Sequence, residues 1–185
     1  MIQQEHTMKY DIGYITKYML DYDIGIPLVV IIFVLLFVCC IVLVLFRVKN
    51  SYSLFVKQAS FCLFMGYLFL VLCTTIFFRE ETFVKRYNIN PLWSYSSLYN
   101  KQLAQIIMNV IMFIPIGFFA GGALKKKHVS KAIEIGIVLS LFIEITQLIT
   151  TRGVFNVDDI IHNTLGCVIG FSVFVLCYKL IKRTA

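Results

Sequence analysis

Asn109, Glu144, Gln147 and Asn163 are polar side chains set inside three long apolar stretches. Burying such groups in hydrocarbon is costly, so their presence is a functional hypothesis in itself. Arg152, Asp158 and Asp159 stand just beyond them in the chain. The set offers carboxylates for general acid and base work, carboxamides that both donate and accept, and a guanidinium suited to a phosphate or carboxylate. Glu144 and Gln147 are three residues apart and share a helix face. Asp159, Asn163, Gly166 and Gly170 step by four, three and four along one side of another helix. At ~1.5 Å per residue, Glu144 lies roughly 10 Å and Asn109 roughly 9 Å below the same end of their stretches, in one shallow layer. An ionised carboxylate in mid-helix costs on the order of 2.5–3.5 kcal/mol to insert. Glu144 must then be protonated or paired, and Arg152 is the natural partner.

The elements that position these residues follow from composition. The chain has 185 residues, of which 59% are hydrophobic and 15% charged. A soluble domain carries about a quarter charged residues. Apolar runs cover Ile24–Phe46, Ala59–Phe78, Leu103–Leu124, Ala132–Thr151 and Ile160–Leu180, each near the ~20 residues that span a ~30 Å hydrocarbon core. The predicted fold is all-α, a polytopic integral membrane bundle of five transmembrane helices. Residues 1–58 read as a polar and aromatic lead, a first helix and a loop; 59–185 read as the core. The lead lacks the short basic start and small-residue cleavage site of a signal peptide. Its Tyr10, Tyr14, Tyr18 and Tyr22 suit a surface helix.

Basic residues set the orientation. Arg47, Lys49 and Lys57, the Lys125–Lys127 run with Lys131, and Lys179, Lys182 and Arg183 fall on one side, whose loops hold no acid. The other side nearly balances acids and bases. The positive-inside rule then predicts a multi-pass cell-membrane protein with its N-terminus outside and its C-terminus cytoplasmic. This asymmetry absorbs the +7 net charge, which leaves no reason to invoke nucleic acid.

The third run carries Pro115 and a Gly117/Gly121 pair, and the fifth carries Gly166/Gly170. Such small-residue faces predict a close crossing of the two helices. The connection from Arg79 to Lys101 exceeds what joining two helices needs. Its uncharged middle, with Trp93, Tyr95 and Tyr99, reads as an aromatic belt or as a cover over the polar layer. Glu134, three residues after Lys131, predicts a local ion pair, and His162 a rim position that could shuttle protons. All six cysteines fall in apolar runs without metal spacing and read as packing residues. No Walker, GxGxxG or HExxH pattern signals a cofactor or metal.

Three segments carry a resemblance. They are Asn109-Val-Ile-Met-Phe-Ile-Pro115-Ile-Gly117, Glu144-Ile-Thr-Gln147, and Arg152-Gly-Val-Phe-Asn-Val-Asp158-Asp159-Ile-Ile-His-Asn163-Thr-Leu-Gly166 with Gly170. In this order they resemble the signature of the VanZ-like family, over about residues 60–178. That family is named for an accessory membrane protein of glycopeptide resistance that raises tolerance to teicoplanin more than to vancomycin. The segment Asn88-Ile-Asn-Pro91-Leu92-Trp93 departs from the family's Asn-Leu-x-Pro-Phe-like pattern at Leu92. The resemblance implies a four-helix core in a Gram-positive envelope, to which the first run adds an N-terminal helix. It implies no particular reaction.

Two functions fit these residues. In the first, Asn109, Glu144, Gln147, Arg152, Asp158, Asp159 and Asn163 form an outer-leaflet pocket for a polar head on an apolar tail. Its partner is a membrane lipid, a lipid-linked envelope precursor or a lipoglycopeptide such as teicoplanin. In the second, the protein is a membrane-embedded enzyme acting on a lipid head group. Glu144 is then the general acid or base, Asp159 its partner and Arg152 the phosphate holder. A proton-coupled transporter is a weaker third reading, since the polar residues crowd one half of the membrane.

Overall fold

In the computed structural model, residues 54–77, 81, 86–96, 100–124 and 128–184 are described. The first apolar run and the tyrosine-rich lead lie outside them. The other four runs are helices, as predicted. α1 covers Leu54–Leu72 and continues into a π-helical turn, Cys73–Phe77. α3 covers Asn100–Ala123, α4 Val129–Thr150 and α5 Val157–Thr184. The connection after α1 contributes a strand β1, Arg86–Asn88, and a single helical turn α2, Trp93–Ser96. β2, Val154–Asn156, links α4 to α5.

α3, α4 and α5 are each long and apolar enough to cross a membrane, and α1 with its π turn supplies a shorter apolar stretch, Ser60–Ile76. The side-chain distribution of α4 is reversed from that of a soluble helix. It buries Ala132, Gly136, Ser140, Ile143, Glu144 and Gln147. It exposes Ile133, Ile137, Val138, Phe142, Ile145 and Ile149. In water that arrangement would expose a large apolar patch; in hydrocarbon the aliphatic face meets lipid and the small face meets protein.

α3 and α5 run side by side in the same direction at very close approach. A Cβ added at Gly117 would stand 1.9 Å from the Cys167 carbonyl oxygen. One added at Gly170 would stand 1.9 Å from Ile114 O, and one at Gly166 2.2 Å from Val110 O. Only hydrogen fits at these positions, so the two small-residue faces do what their spacing predicted. Phe113, Ile116, Phe171 and Phe174 fill the core beside the seam, and Phe118 meets Phe174 edge to face at 5.3 Å. Tyr67 joins α1 to α3 by donating to the Met112 carbonyl at 2.9 Å. That carbonyl lies next to Ile111, whose helical N–H partner Pro115 removes.

α4 runs against α5 in the opposite direction, with Gly136 opposite Thr164 and Ser140 opposite Asn163. The cysteines Cys62, Cys73, Cys167 and Cys177 are free, as their placement predicted. Lys131 and Glu134 form the expected exposed pair, an interaction of little energetic weight.

The connections after α1 and after α4 were predicted as loops, yet they pair. β1 and β2 lie parallel, Arg86 opposite Val154 and Asn88 opposite Asn156. Three-residue strands leave almost no periodicity to read, and the partners are far apart in sequence.

Candidate functional site

The site grows from the α4–β2–α5 connection. Thr151 takes left-handed backbone with φ 55°, which ends α4 while the Arg152 N–H donates back to the Gln147 carbonyl at 3.0 Å. The chain then runs through β2 into Asn156, the hub of the cluster. The Asn156 backbone N–H donates to Glu144 Oε2 at 2.8 Å. Its side-chain Nδ2 donates to Asp159 Oδ1 at 3.1 Å, and its Oδ1 accepts the Asp158 N–H at 3.2 Å. The last bond caps the start of α5, whose first turn also carries Asp158 and Asp159 where the helix dipole favours acids.

Glu144 is 2% exposed, as are Gln147 and Asn163. Gln147 Nε2 donates to the Thr75 carbonyl in the π turn at 3.0 Å. Asn163 Nδ2 donates to Ser140 Oγ at 2.8 Å. Glu144 and Asp159 thus meet at Asn156 and Asn163 meets Ser140 between α4 and α5, while Gln147 reaches the π turn after α1. Asn109 is half-buried and adjoins Val110, whose carbonyl faces Gly166 one turn from Asn163.

The structure gives three of these residues partners that the sequence did not name. Arg152, read from the sequence as the natural partner of Glu144, forms an ion pair with Glu81, Nη2 to Oε1 at 2.8 Å. Glu81 belongs to the α1–α3 connection, so the arginine ties two connections together at the surface. Asp158, one of the candidate ligand-binding residues, is fully buried and accepts the backbone N–H groups of Leu92 at 2.6 Å and Ser94 at 2.8 Å. It fastens the α2 turn to α5. His162 is not on the rim. It is 2% exposed and its Nε2 lies 2.7 Å from the Tyr95 hydroxyl.

The middle of the long connection is therefore pinned to the start of α5 by Asp158 and His162, one helical turn apart on the same face. Leu92 takes φ 64° to present its N–H to Asp158. A side chain in left-handed backbone is uncommon, and it persists here because that bond over-determines it. Tyr95 rests edge to face on His162 at 5.7 Å, while Trp93 and Tyr87 remain largely exposed. Tyr99 lies outside the described residues.

Asn156, Ser140 and Thr75 are members of the cluster that the sequence did not single out. Asn156 had a usable signal, since an asparagine two residues before paired acids at a helix start is a capping pattern. Thr75 contributes only a carbonyl, which no residue type announces. Among the described residues no group of His, Cys, Asp and Glu is arranged to hold a metal ion.

These features define a helical membrane protein with a buried polar layer at one end of its bundle, beneath a pinned connecting segment. The VanZ/LLP1 family model matches residues 64–179, and the chain belongs to that family. It is 35% identical over 75 residues to Protein VanZ of Enterococcus faecium, an alignment covering 40% of this chain and 47% of that relative. The chain thus matches about half of that relative's length. No solved structure matches.

Proposed function

We propose that the polar layer is a binding site for the head of a lipid-tailed molecule in the outer leaflet, and that through it the protein contributes to teicoplanin or lipoglycopeptide tolerance. Membership of the VanZ/LLP1 family supports the link to tolerance. The observation that carries the binding reading is the burial of Glu144, Gln147 and Asn163 at the loop end of membrane-crossing helices. Polar residues at such depth serve function more often than packing. A lipid-linked envelope precursor is the alternative occupant, since it shares a polar head and an apolar tail. The positive-inside orientation puts this end of the bundle outside.

The test is the inhibitory concentration of teicoplanin and of vancomycin for a susceptible Gram-positive host expressing this chain or an equally expressed Glu144→Gln variant. A teicoplanin-selective rise that vanishes in the variant is the expected result. No rise in either strain detaches the protein from glycopeptide tolerance.

One contact favours a second reading. Glu144 and Asp159 are both held by Asn156, which places two carboxylates around one residue. In that reading the protein is an enzyme that modifies an envelope lipid head, with Glu144 as acid or base. Identical lipid profiles in the two strains would count against it.

A further inference from the structure

We infer that the α2 turn is a membrane anchor, with Leu92, Trp93 and Tyr95 resting in the headgroup–acyl boundary of the leaflet at this end of the bundle. The inference concerns the outward flank of the connecting segment and does not depend on the ligand-binding reading. The turn is built inside out. Ser94 is buried, while Leu92, Trp93 and Tyr95 beside it are 60%, 44% and 45% exposed. In water, grouped apolar exposure of this kind marks a surface that meets a partner or a membrane. α4 shows the same inversion, with Ser140 buried and Val138 and Phe142 exposed. Leu92 also sits in left-handed backbone, where glycine fits without steric cost. Its bond to Asp158 uses only the backbone N–H, so the outward leucine side chain is not explained by that bond.

Placement says which surroundings the exposed flank meets. Arg86 lies opposite Val154 and Asn88 opposite Asn156 in the parallel pairing. The Leu92 and Ser94 N–H groups then bond Asp158, and the Tyr95 hydroxyl meets His162. The segment therefore passes down beside the start of α5, which is apolar enough to cross a membrane from Val157 onward. His162 lies about 7–8 Å along that helix from Val157 at ~1.5 Å per residue. Interfacial apolar faces sit at a comparable depth, ~5–10 Å into the headgroup–acyl boundary. Ile161, next to His162, is exposed, so the lipid-facing flank of α5 begins at the level that the turn reaches. Charge agrees with this depth. No charged residue lies between Arg86 and Lys101, and tryptophan and tyrosine are the side chains that favour the headgroup level. Of the two sequence readings of this segment, belt or cover, the placement favours the belt.

Trp93 is the only tryptophan of the chain, so its emission reports on this turn alone. The purified full chain is reconstituted in phosphatidylcholine vesicles that carry bromine either high on the acyl chain or near its end. Iodide, present on both sides of the membrane, is the aqueous quencher. The expected result is a loss of Trp93 emission of about twofold or more with the high bromine, as a boundary position requires. The low bromine should quench less, and iodide only weakly. Because the segment is uncharged, added phosphatidylglycerol should leave this ranking unchanged.

Strong quenching by iodide with none by bromine would overturn the inference and put the turn in water. Resistance to both quenchers would overturn it in favour of a protein contact, such as a second copy of the chain. Strongest quenching by the low bromine would overturn the boundary placement. Bromine quenching that appears only with phosphatidylglycerol would overturn the uncharged interface as its cause.

Discussion

At the scale of the residue, Asp158 and Leu92 show how the connecting segment is held. One buried carboxylate receives two backbone N–H groups, at 2.6 and 2.8 Å, and hydrogen bonds to a charged group contribute about 1.5–3 kcal/mol each. Asp158→Ala leaves both N–H groups without their acceptor, whereas Asp158→Asn keeps one acceptor oxygen. Amide hydrogen exchange over residues 86–96 should therefore accelerate by about tenfold or more in the alanine variant, since 1.4 kcal/mol is a factor of ten. The asparagine variant should fall between alanine and wild type. Leu92→Gly should protect the segment at least as well as leucine, because glycine adopts positive φ without steric cost. Equal exchange in Asp158→Ala and wild type would show that the segment is held by β1–β2 pairing and the Tyr95–His162 contact alone. Proximity in sequence points Arg152 to Glu144, while the ion pair with Glu81 comes from a different connection that sequence order does not bring near.

At the scale of the element, the α3–α5 seam carries the architecture. Three glycines stand where a methyl group would overlap backbone oxygen on the facing helix. Backbone cannot yield as a side chain can, so Gly170→Ala must push the helices apart. Overpacking of this kind costs typically about 1–3 kcal/mol, and the expected readout is a clear drop in thermal unfolding temperature in detergent. Gly66→Ala is the control, because a Cβ there meets nothing within 4 Å. An unchanged midpoint in Gly170→Ala would mean that the seam is looser than described. This seam was legible in sequence because two small-residue pairs at a spacing of four leave a pattern. The helices were legible for the same kind of reason, since hydrocarbon demands long apolar runs. Their ends were less so. α5 begins at Val157 rather than Ile160, because Asn156, Asp158 and Asp159 are polar yet favour a helix start. The β1–β2 pairing and the Thr75 carbonyl left no trace, as both rest on backbone groups that every residue carries. That Glu144 and Gln147 share one face of α4, and Asp159 and Asn163 one face of α5, was readable from spacing. What each one bonds was not.

At the scale of the whole molecule, charge and burial bear on which end of the bundle meets the exterior. The loop end carries β1, β2 and the pinned segment, and its described charges, Glu81, Arg86, Arg152, Asp158 and Asp159, include both signs. The opposite end carries Lys131 at the start of α4. On the positive-inside reading of the sequence, the polar layer is proposed to lie beneath the outer headgroups. That orientation is a condition of the proposed function, since an extracellular lipoglycopeptide reaches the layer only from outside. Two exposed positions at opposite ends test it. Tyr87 in β1 is 69% exposed, and His128, just before α4, is exposed as well. A membrane-impermeant maleimide applied to intact cells should label Tyr87→Cys above the wild-type background set by the native cysteines. His128→Cys should label only after the membrane is permeabilised. The reverse pattern would turn the layer towards the cytoplasm and exclude direct capture of an external drug. The polar layer could then serve only lipids of the inner leaflet.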